Sequence, residues 1–458
     1  MSVRVLLVPD SIYWVTGTIA ASFARYNPWM RPAIISGPVL DDIAQGDPAF
    51  ADRFDVVHFV CPYAARDWLA PLRSRVPVVT SHHHVTNWDL LRHNLDGDCI
   101  VAGSTEWAED IIARGADPNQ VVCIPYGVDA DRFAPVAIDT RIATRGRLGL
   151  SDDGPVIGFF GKRGSNDDDR KGTDVFVDAI SQLSRIVPHT QVLVVGPGWH
   201  DFVSEFQQLG VNCVWIPFAS RLDDLAPLHG ALDFYWVTAR VEGGPVPLLE
   251  AMSTGVACLT TPVGLARDIV DGSNGVMLPK GASAPFAELT AELWSDPERR
   301  IQMGKRARDT IVERMRDRDT AREVYRAYET ASRFFSERTT RRAPIAIPRS
   351  AVVDAAETRA MGGNPPLEGI RHSLHRRIRM LESLAWAENL ILYQRQRGAA
   401  LSLIWNAWRS NPASILPART LARRFLPATL VKGVVRLKRR ARSGRRSLPS
   451  SEDGLTRS

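Results

Sequence analysis

Residues 236–252 read Trp-Val-Thr-Ala-Arg-Val-Glu-Gly-Gly-Pro-Val-Pro-Leu-Leu-Glu-Ala-Met. The apolar residues up to Val237 are typical of a buried strand, which ends at the small polar residue Thr238. A glycine and proline loop follows, and Pro247 is a residue type favoured in the first turn of a helix. The stretch therefore predicts a strand, a loop and a helix whose N-terminal N–H groups can bind an anion.

Two carboxylates flank this loop. Glu242 precedes the glycines and Glu250 lies one turn into the predicted helix, so both can face one cleft. Carboxylates accept hydrogen bonds from the hydroxyl groups of sugars and ribose. An isolated Glu-Gly-Gly is more often a solvated cap, so the pair needs support from the rest of the chain.

Short β-branched runs alternate with helical stretches on both sides of this unit. The runs are continuous, as expected for parallel strands covered on both faces. We predict two tandem doubly wound α/β domains, with ligands at the carboxyl ends of the strands. The predicted strands are 3–8, 55–60, 76–80, 99–102 and 121–124 in the first domain and 156–160, 191–195, 214–216, 233–238 and 256–260 in the second.

A second loop carries cations. Gly161, Lys162 and Arg163 follow a predicted strand, and Lys171 lies just before a predicted helix. Convergent Lys and Arg side chains at a helix N-terminus can neutralise a diphosphate. The alternative is that the acidic residues 167–169 pair with these cations in a solvated loop.

Together these segments resemble the retaining glycosyltransferases of the GT-B fold, in the group-1 (family-4) class that uses nucleotide-sugar donors. The resemblance covers roughly residues 1–335. Its most specific element is the E-x7-E array from Glu242 to Glu250. The other matching segments are Ile-Pro-Tyr-Gly-Val-Asp at 124–129 with Phe133, the cationic loop at 161–172, Val-Val-Gly-Pro-Gly at 194–198 and the glycine-containing stretch 264–275.

The resemblance implies a role for each matching residue in the second domain. Lys171, with Lys162 or Arg163, grips the donor diphosphate. Glu250 binds the ribose hydroxyls of the nucleotide, and Glu242 lies beside the donor sugar. The expected donor-binding backbone comprises Gly161, Gly243, Gly244 and Val246, whereas Pro245 stands where the family has glycine and lacks the N–H.

In the first domain the resemblance implies one histidine at a strand end near the transferred sugar. Residues 82–84 are all histidine, and either His82 or His83 fits that position. A metal site or a solvated loop are the other interpretations, although consecutive histidines project in different directions. Gly17 is the candidate for close backbone approach to the diphosphate.

Composition limits the other possibilities. The chain has 458 residues, 45% hydrophobic and 24% charged, which excludes wholesale disorder and fibrous repeats. Five scattered cysteines favour neither a disulfide framework nor a zinc site. The N-terminal apolar run is too short for a signal peptide, and no run is long enough to span a bilayer.

The formal charge of +6 is unevenly distributed. Residues 337–458 contain 24 Lys and Arg against 8 Asp and Glu, a balance of +16, which leaves −10 for residues 1–336. Within 371–446, apolar residues recur at helical spacing and Trp405 and Trp408 add interfacial aromatics. Basic amphipathic helices of this kind bind anionic membranes. A helical bundle packed on the body is the alternative, and nucleic-acid binding lacks any recognised fold to support it.

The predicted organisation has six parts. Residues 1–140 form the acceptor-side domain, 141–315 the donor-binding domain, and 316–336 a helix crossing back to the first domain. Residues 337–370 form a linker, 371–446 the basic amphipathic helical extension, and 447–458 a disordered tail. The protein is expected to be cytoplasmic and peripheral on the inner face of the cell membrane.

The predicted activity is transfer of a hexosyl unit, with retention of configuration, from a nucleotide-diphosphate sugar to a glycolipid or cell-envelope glycan. No cofactor is expected, and no metal, because the acidic pairs at 152–153 and 167–169 lie in loops. Two alternatives remain: a soluble glycosyltransferase that makes a small glycoside or storage sugar, and a catalytically inactive GT-B scaffold. The presence of Glu242, Glu250 and Lys171 argues against the inactive scaffold.

Overall fold

The computed structural model of the chain describes residues 2–163, 169–217, 225–340, 378, 380–384, 387 and 397–410. The chain divides into two compact units, Met1–Ile370 and Arg371–Ser458. The first unit contains two parallel sheets of six strands each. Most of the predicted linker and the predicted disordered tail lie outside the described residues.

The first sheet has the strand order β2-β1-β3-β4-β5-β6, and all of its neighbours pair in parallel. Its strands are β1 Val3–Leu7, β2 Met30–Ile34, β3 Val56–Phe59, β4 Val78–His82, β5 Cys99–Ala102 and β6 Val121–Cys123. The inner strands β3, β4 and β5 are buried throughout, which explains their continuous apolar runs.

The second sheet has the order β12-β11-β10-β7-β8-β9 and is also parallel. Its strands are β7 Val156–Phe160, β8 Gln191–Val195, β9 Asn212–Ile216, β10 Phe234–Val237, β11 Ala257–Thr260 and β12 Val276–Met277. The prediction of two doubly wound domains is therefore confirmed.

Fifteen helices are described. They are α1 Val15–Tyr26, α2 Gly37–Ala44, α3 Leu69–Leu72, α4 Thr105–Ala113, α5 Ile138–Leu148, α6 Thr173–Ile186, α7 His200–Gln208, α8 Leu225–Gly230, α9 Val246–Ser253, α10 Ala266–Ile269, α11 Ala284–Ser295, α12 Pro297–Arg314, α13 Asp317–Arg322, α14 Val324–Thr339 and α15 Arg397–Ser410. Short 3-10 turns occur at Phe50–Arg53, Pro62–Ala65, Trp88–Leu90, Arg92–Asp96 and Pro118–Gln120.

The chain returns to the first sheet after α12. Residue Val128 forms a parallel bridge with Arg316, α13 packs against α1, and α14 packs against β4 and β5. Tyr328 on α14 is fully buried and its hydroxyl lies 3.2 Å from Nδ1 of His58 on β3. The segment predicted as one helix over 316–336 is thus two helices, and the second continues to Thr339.

Two arginines of helix α5 bind the second sheet. Arg145 is buried and binds Asp233 at 2.7 Å, and Arg141 binds the other oxygen of the same carboxylate at 2.7 Å. Arg145 also donates to the carbonyl of Ala231. Because Asp233 begins the β10 segment, these contacts fix the strand that leads into the Glu242 loop.

The two domains contact each other through the start of α4. The Thr105 N–H donates to Asp268 at 3.0 Å, and the Trp107 indole N–H donates to the carbonyl of Glu242 at 2.8 Å. The Glu106 carboxylate accepts the N–H of Gly264. The first turn of α4 therefore holds both sides of the Glu242 loop.

The second unit is described at 378–387, with gaps, and in α15. Ile378, Leu381 and Leu384 are buried, in agreement with the helical spacing of apolar residues predicted for the extension. In α15 one face is buried, at Ala400, Ile404 and Ala407. The adjacent face exposes Leu401, Trp405 and Trp408. No helix in the described part of the chain is both long and apolar enough to cross a bilayer.

Candidate active site

The core of the candidate site is a buried carboxylate held by two cations. Glu242 is 6% exposed, and its Oε1 lies 3.0 Å from the Arg170 guanidinium and in contact with the Lys171 ammonium. Burial acts to raise the pKa of Glu242, but the charges of Lys171 and Arg170 outweigh it and hold the pKa below its usual value. Glu242 is therefore ionised, and two positive groups converge on one point of the cleft.

A glycine positions these cations. Gly172 has φ of +63°, and a Cβ there would lie 2.0 Å from the carbonyl oxygen of Thr238. The Thr238 hydroxyl donates to the Gly172 carbonyl at 2.8 Å, and the Arg240 N–H donates to the Arg170 carbonyl at 2.8 Å. The Lys-Gly pair in the sequence thus reflects a loop that lies directly against the carboxyl end of β10.

The glycines after Glu242 lie against the first domain. A Cβ on Gly243 would be 2.3 Å from the His83 carbonyl oxygen, and one on Gly244 would be 2.3 Å from the Tyr126 ring. The N–H groups of both glycines lack hydrogen-bond partners among the described residues. The loop therefore presents two free donors beside the carboxylate.

Val246 differs from the sequence expectation. The Val246 N–H, expected to face the donor, instead donates to the Gly244 carbonyl at 2.8 Å across Pro245. Pro245 has φ −70° and ψ 81°, which is the geometry of a tight three-residue turn. The Gly161 N–H donates to the Val195 carbonyl at 2.7 Å. Of the four predicted backbone donors, those of Gly243 and Gly244 are therefore free of partners in the described part of the chain, and those of Gly161 and Val246 are not.

The second carboxylate of the array, Glu250, lies about one turn into α9. Glu250 on α9 is buried and accepts a hydrogen bond from Nε2 of His229 at 3.1 Å. It borders a pocket shared with residues of α1 and of the segment before α5, including Thr18, Ser22 and Tyr126. The two carboxylates of the E-x7-E array thus have separate surroundings, one cationic and one beside a histidine.

The three consecutive histidines take three different environments. His82 is fully buried, lies 3.2 Å from Asp110 and packs against Trp107, and burial lowers its pKa to about 4. His83 lies 2.6 Å from the Val60 carbonyl through Nε2 and contacts the Tyr126 hydroxyl through Nδ1. Both predicted candidates are therefore bound to residues of the first domain.

Of the three histidines, His84 is the one whose pKa responds to the charges of Arg170 and Lys171. Burial lowers its pKa to about 4, and the charges of Arg170, Glu242 and Lys171 also act on it. Its imidazole is neutral at pH 7. The sequence indicated this strand end, but it could not show that the three rings take three different environments.

The remaining predicted residues lie around this centre. Gly161 is close to Lys171, since a Cβ on it would be 3.9 Å from the ammonium nitrogen. Lys162 is exposed in the same loop. The Arg163 guanidinium lies 3.7 Å from the centre of the Phe202 ring on α7. The structure brings Lys171 to Glu242, and the phosphate contacts of Lys162 and Arg163 stay predictions.

Two expected anion-binding features have protein partners in this structure. The N-terminus of α6 is capped by Asp169, whose carboxylate accepts the N–H groups of Thr173 and Asp174 at 2.9 and 3.0 Å. Gly17 lies inside α1, and a Cβ there would be 2.4 Å from the Ser11 carbonyl oxygen. Packing of its own loop accounts for this glycine, and its contact with a diphosphate stays a prediction.

Sequence reasoning did not assign several residues of the site. Arg170 lies in the cationic loop, but the sequence gives no sign that it contacts Glu242, and it predicts no role for His84 or His229. His229 has no motif around it that could have found it. Among the described residues, no group of three His, Cys, Asp or Glu side chains is arranged to hold a metal ion. Metal independence stays a prediction.

Two doubly wound domains, with cations and carboxylates after the strands of the second sheet, are typical of the two-domain GT-B glycosyltransferases. Residues 154–296 match the family described as glycosyl transferases group 1, and residues 21–132 match glycosyltransferase family 4. The D-inositol 3-phosphate glycosyltransferase of Xylanimonas cellulosilytica is 31% identical over 288 residues, 56% of this chain and 67% of the relative. The chain belongs to the group-1 glycosyltransferase family.

Two further comparisons extend this result. A GDP-mannose-dependent monoacylated alpha-(1-6)-phosphatidylinositol monomannoside mannosyltransferase of Corynebacterium glutamicum is 31% identical over 195 residues, 40% of this chain and 50% of the relative. The Anabaena protein HepE, solved with UDP-glucose, matches with a TM-score of 0.59 and 18% identity over 70% of this chain and 98% of that chain, which shows the shared fold. The chain spans about half to two thirds of the length of the curated relatives it matches.

Proposed function

We propose that the protein transfers a hexosyl unit from a nucleotide-diphosphate sugar, with retention of anomeric configuration, to a glycolipid or cell-envelope glycan. One observation carries this proposal: the buried Glu242 lies between Lys171 and Arg170, next to the free N–H groups of Gly243 and Gly244. Cations and backbone donors at one point suit a phosphate, and a carboxylate suits sugar hydroxyls.

The proposed chemistry uses these groups in sequence. When the donor binds, its diphosphate contacts Lys171 and Arg170 in place of Glu242. The Glu242 carboxylate can then accept hydrogen bonds from the donor sugar. The bond between the anomeric carbon and the diphosphate oxygen breaks, and the diphosphate keeps the electron pair. A bond from the anomeric carbon to the acceptor oxygen forms, and the proton of the acceptor hydroxyl passes to the departing diphosphate. Fixed charges that stabilise a leaving group contribute several kcal/mol in a site closed to water, at about 3–4 kcal/mol per donor.

The donor assignment is supported by what the related proteins bind. HepE has been solved with UDP and with UDP-glucose, and two of the related mannosyltransferases are named as GDP-mannose-dependent. These names agree on a nucleoside diphosphate linked to a hexose and differ in the base. We therefore propose a hexosyl nucleoside diphosphate as the donor and leave the base to experiment.

A glycolipid acceptor is supported by exposed apolar side chains on the first domain. Tyr13, Tyr63 and Leu90 follow β1, β3 and β4, which are neighbours in the sheet, and each is more than 40% exposed. They therefore line the same edge of the sheet as the three histidines. Two relatives are named as mannosyltransferases that act on phosphatidylinositol monomannosides, which are glycolipids.

A small soluble acceptor is the second candidate. Several relatives are named D-inositol 3-phosphate glycosyltransferases, and they match this chain over a comparable length. A phosphorylated polyol would need a cation on the acceptor side, whereas a glycolipid would use the apolar edge. The two candidates are distinguished by the acceptor that the enzyme glycosylates.

Membrane association is proposed for the basic extension, on the cytoplasmic face of the membrane. The exposed face of α15 carries Leu401, Trp405 and Trp408, with the two indole rings 5.0 Å apart. Residues 371–446 contain 18 basic and 2 acidic residues. Tryptophan at the interface combined with cationic charge binds anionic lipid surfaces.

The activity is tested by a donor screen followed by an acceptor assay. Thermal unfolding is measured with UDP, GDP, ADP and their hexose conjugates, and the stabilising donor is then offered with a membrane lipid extract or with inositol phosphates. We expect one donor to raise the unfolding temperature and a lipid-extractable product with the anomeric configuration of the donor. If no donor stabilises the protein and no sugar is transferred, the inactive-scaffold alternative is correct.

The membrane proposal has its own test. The full-length protein and the Trp405→Ser/Trp408→Ser variant are floated with vesicles of phosphatidylcholine alone or of phosphatidylcholine mixed with an anionic lipid. We expect flotation only with anionic vesicles and its loss in the double variant. Equal recovery of both proteins in all vesicles contradicts the proposal.

A further inference from the structure

His229 has no motif around it, yet it makes the one side-chain hydrogen bond described for Glu250. Its Nε2 lies 3.1 Å from Oε2 of Glu250, and the ring is fully buried. An ionised carboxylate only accepts hydrogen bonds, so Nε2 carries the hydrogen and donates it. The opposite nitrogen, Nδ1, is buried without a partner among the described residues. The ring is therefore a single donor aimed at the carboxylate.

Three aromatic rings hold this donor in place. The centre of the His229 ring lies 4.3 Å from that of Phe160, 5.6 Å from that of Tyr235 and 5.9 Å from that of Phe133. Phe160 ends β7 and Tyr235 lies on β10, so the box is built from the two central strands of the sheet. Such packing limits rotation of the imidazole and prevents Nδ1 from reaching a partner.

A purely packing role does not explain a histidine at this position. A phenylalanine or leucine would fill an aromatic box without burying an unpaired nitrogen, which costs stability. The histidine supplies a hydrogen bond to Oε2 of Glu250 that phenylalanine or leucine could not donate. The geometry thus indicates a function for the hydrogen bond itself.

We propose that His229 is a positioning residue that orients Glu250 for the ribose hydroxyls of the nucleotide. The proposal rests on the proposed donor class, in which Glu250 binds ribose. With Oε2 held by the imidazole, the carboxylate has a fixed plane, and Glu250 lines the pocket that Thr18 and Ser22 also border. A carboxylate held in one plane can accept from two adjacent hydroxyls without first losing rotational freedom.

The test compares nucleotides with and without ribose hydroxyls. UDP, GDP and ADP, with their 2′,3′-dideoxy analogues, are titrated into the full-length wild type, H229F and H229Q by calorimetry. H229F keeps the aromatic packing without the donor, and H229Q keeps a donor. In the wild type we expect loss of the hydroxyls to weaken binding about tenfold, equal to about 1.4 kcal/mol.

The variants should separate the role of His229 from its packing. In H229F we expect the hydroxyls to matter less than about twofold, with the dideoxy nucleotide bound as in the wild type. H229Q should recover part of the wild-type discrimination. KM for the nucleotide sugar should rise in H229F while kcat stays nearly constant, because the reacting bond lies at the Glu242 end. Equal discrimination in H229F and wild type overturns the proposal.

Failure of the donor assignment looks different. If the wild type binds none of UDP, GDP and ADP, the proposed function is wrong. If it binds one of them and discriminates against the dideoxy form no better than H229F does, His229 has no positioning role. Should H229F not fold, histidine-labelled wild type gives a second measurement. The Nε2–H signal lost in H229Q should shift with UDP, GDP or ADP and not with the dideoxy form, and an unchanged signal with both overturns the proposal.

Discussion

Replacing Lys171 with methionine should affect stability and catalysis through the same contact. Glu242 is buried and now has two cationic partners, of which the variant keeps only Arg170 at 3.0 Å. Breaking a fully buried ion pair costs about 3–5 kcal/mol. Because Arg170 remains and the Lys171 side chain is 23% exposed, we expect a loss of about 1–2 kcal/mol at pH 7.

The pH dependence of this loss identifies its origin. The folded-state pKa of Glu242 is depressed by the two cations. The stability that Glu242 contributes is therefore present above the unfolded-state pKa, near 4.3, and is lost as pH falls through the folded-state pKa. Urea unfolding of wild type and Lys171→Met should differ most at pH 7 and converge toward pH 3, about one pH unit below that value.

Catalysis should be affected more strongly than stability. Removing one fixed donor to a developing negative charge typically lowers kcat about 100-fold to 1,000-fold, and we expect at least the lower figure for sugar transfer or donor hydrolysis. Lys305→Met is the matched control, since Lys305 is exposed on α12. Activity of Lys171→Met within twofold of the control, or a stability loss that does not vary with pH, would refute the assignment of Lys171.

Three further substitutions test the scaffold and one buried acid. Arg145→Met leaves Asp233 with one ion-pair partner, Arg141, and the Val156 N–H, and should lower the free energy of unfolding by about 2–4 kcal/mol. Arg147→Met on the exposed face of α5 should change it by less than about 0.5 kcal/mol in urea unfolding. Gly172→Ala places a Cβ 2.0 Å from a carbonyl at the end of β10 and should cost more than about 2 kcal/mol in the same assay. Burial and a neighbouring carboxylate raise the pKa of Asp317 to about 6, so the contribution of this group to wild-type stability falls as pH rises from about 4 to 6. Asp317→Asn should therefore be more stable than wild type by about 1–2 kcal/mol at pH 8 and equal to it near pH 3, as measured by thermal unfolding.

Most strands were predictable because parallel strands covered on both faces leave a strong signal. The predicted runs at 99–102, 156–160 and 191–195 coincide with β5, β7 and β8. The missed strands are those with the weakest signal. β2 contains Pro32 and lies at an edge of its sheet, where a proline is tolerated, and β12 has only two residues.

The site was predictable only at the level of strand ends. Lys171 and Glu242 each follow a strand of one sheet, so a sheet model already places them on the same edge. The choice among His82, His83 and His84 depends on side-chain directions in an irregular segment, which no periodicity encodes. His229 is harder still, because its role depends on a carboxylate 21 residues away and on rings from separate strands.

The contacts between domains connect closure with the geometry of the site. The first turn of α4 binds the carbonyl of Glu242 through Trp107 and the N–H of Gly264 through Glu106. Gly243 has no room for a side chain because the His83 carbonyl lies against it from the first domain. Separation of the domains would remove all three contacts at once, since all come from one side of the cleft. The loop that presents Glu242 and its two free N–H groups is therefore completed by the first domain, and we expect the proposed donor site to depend on a closed cleft.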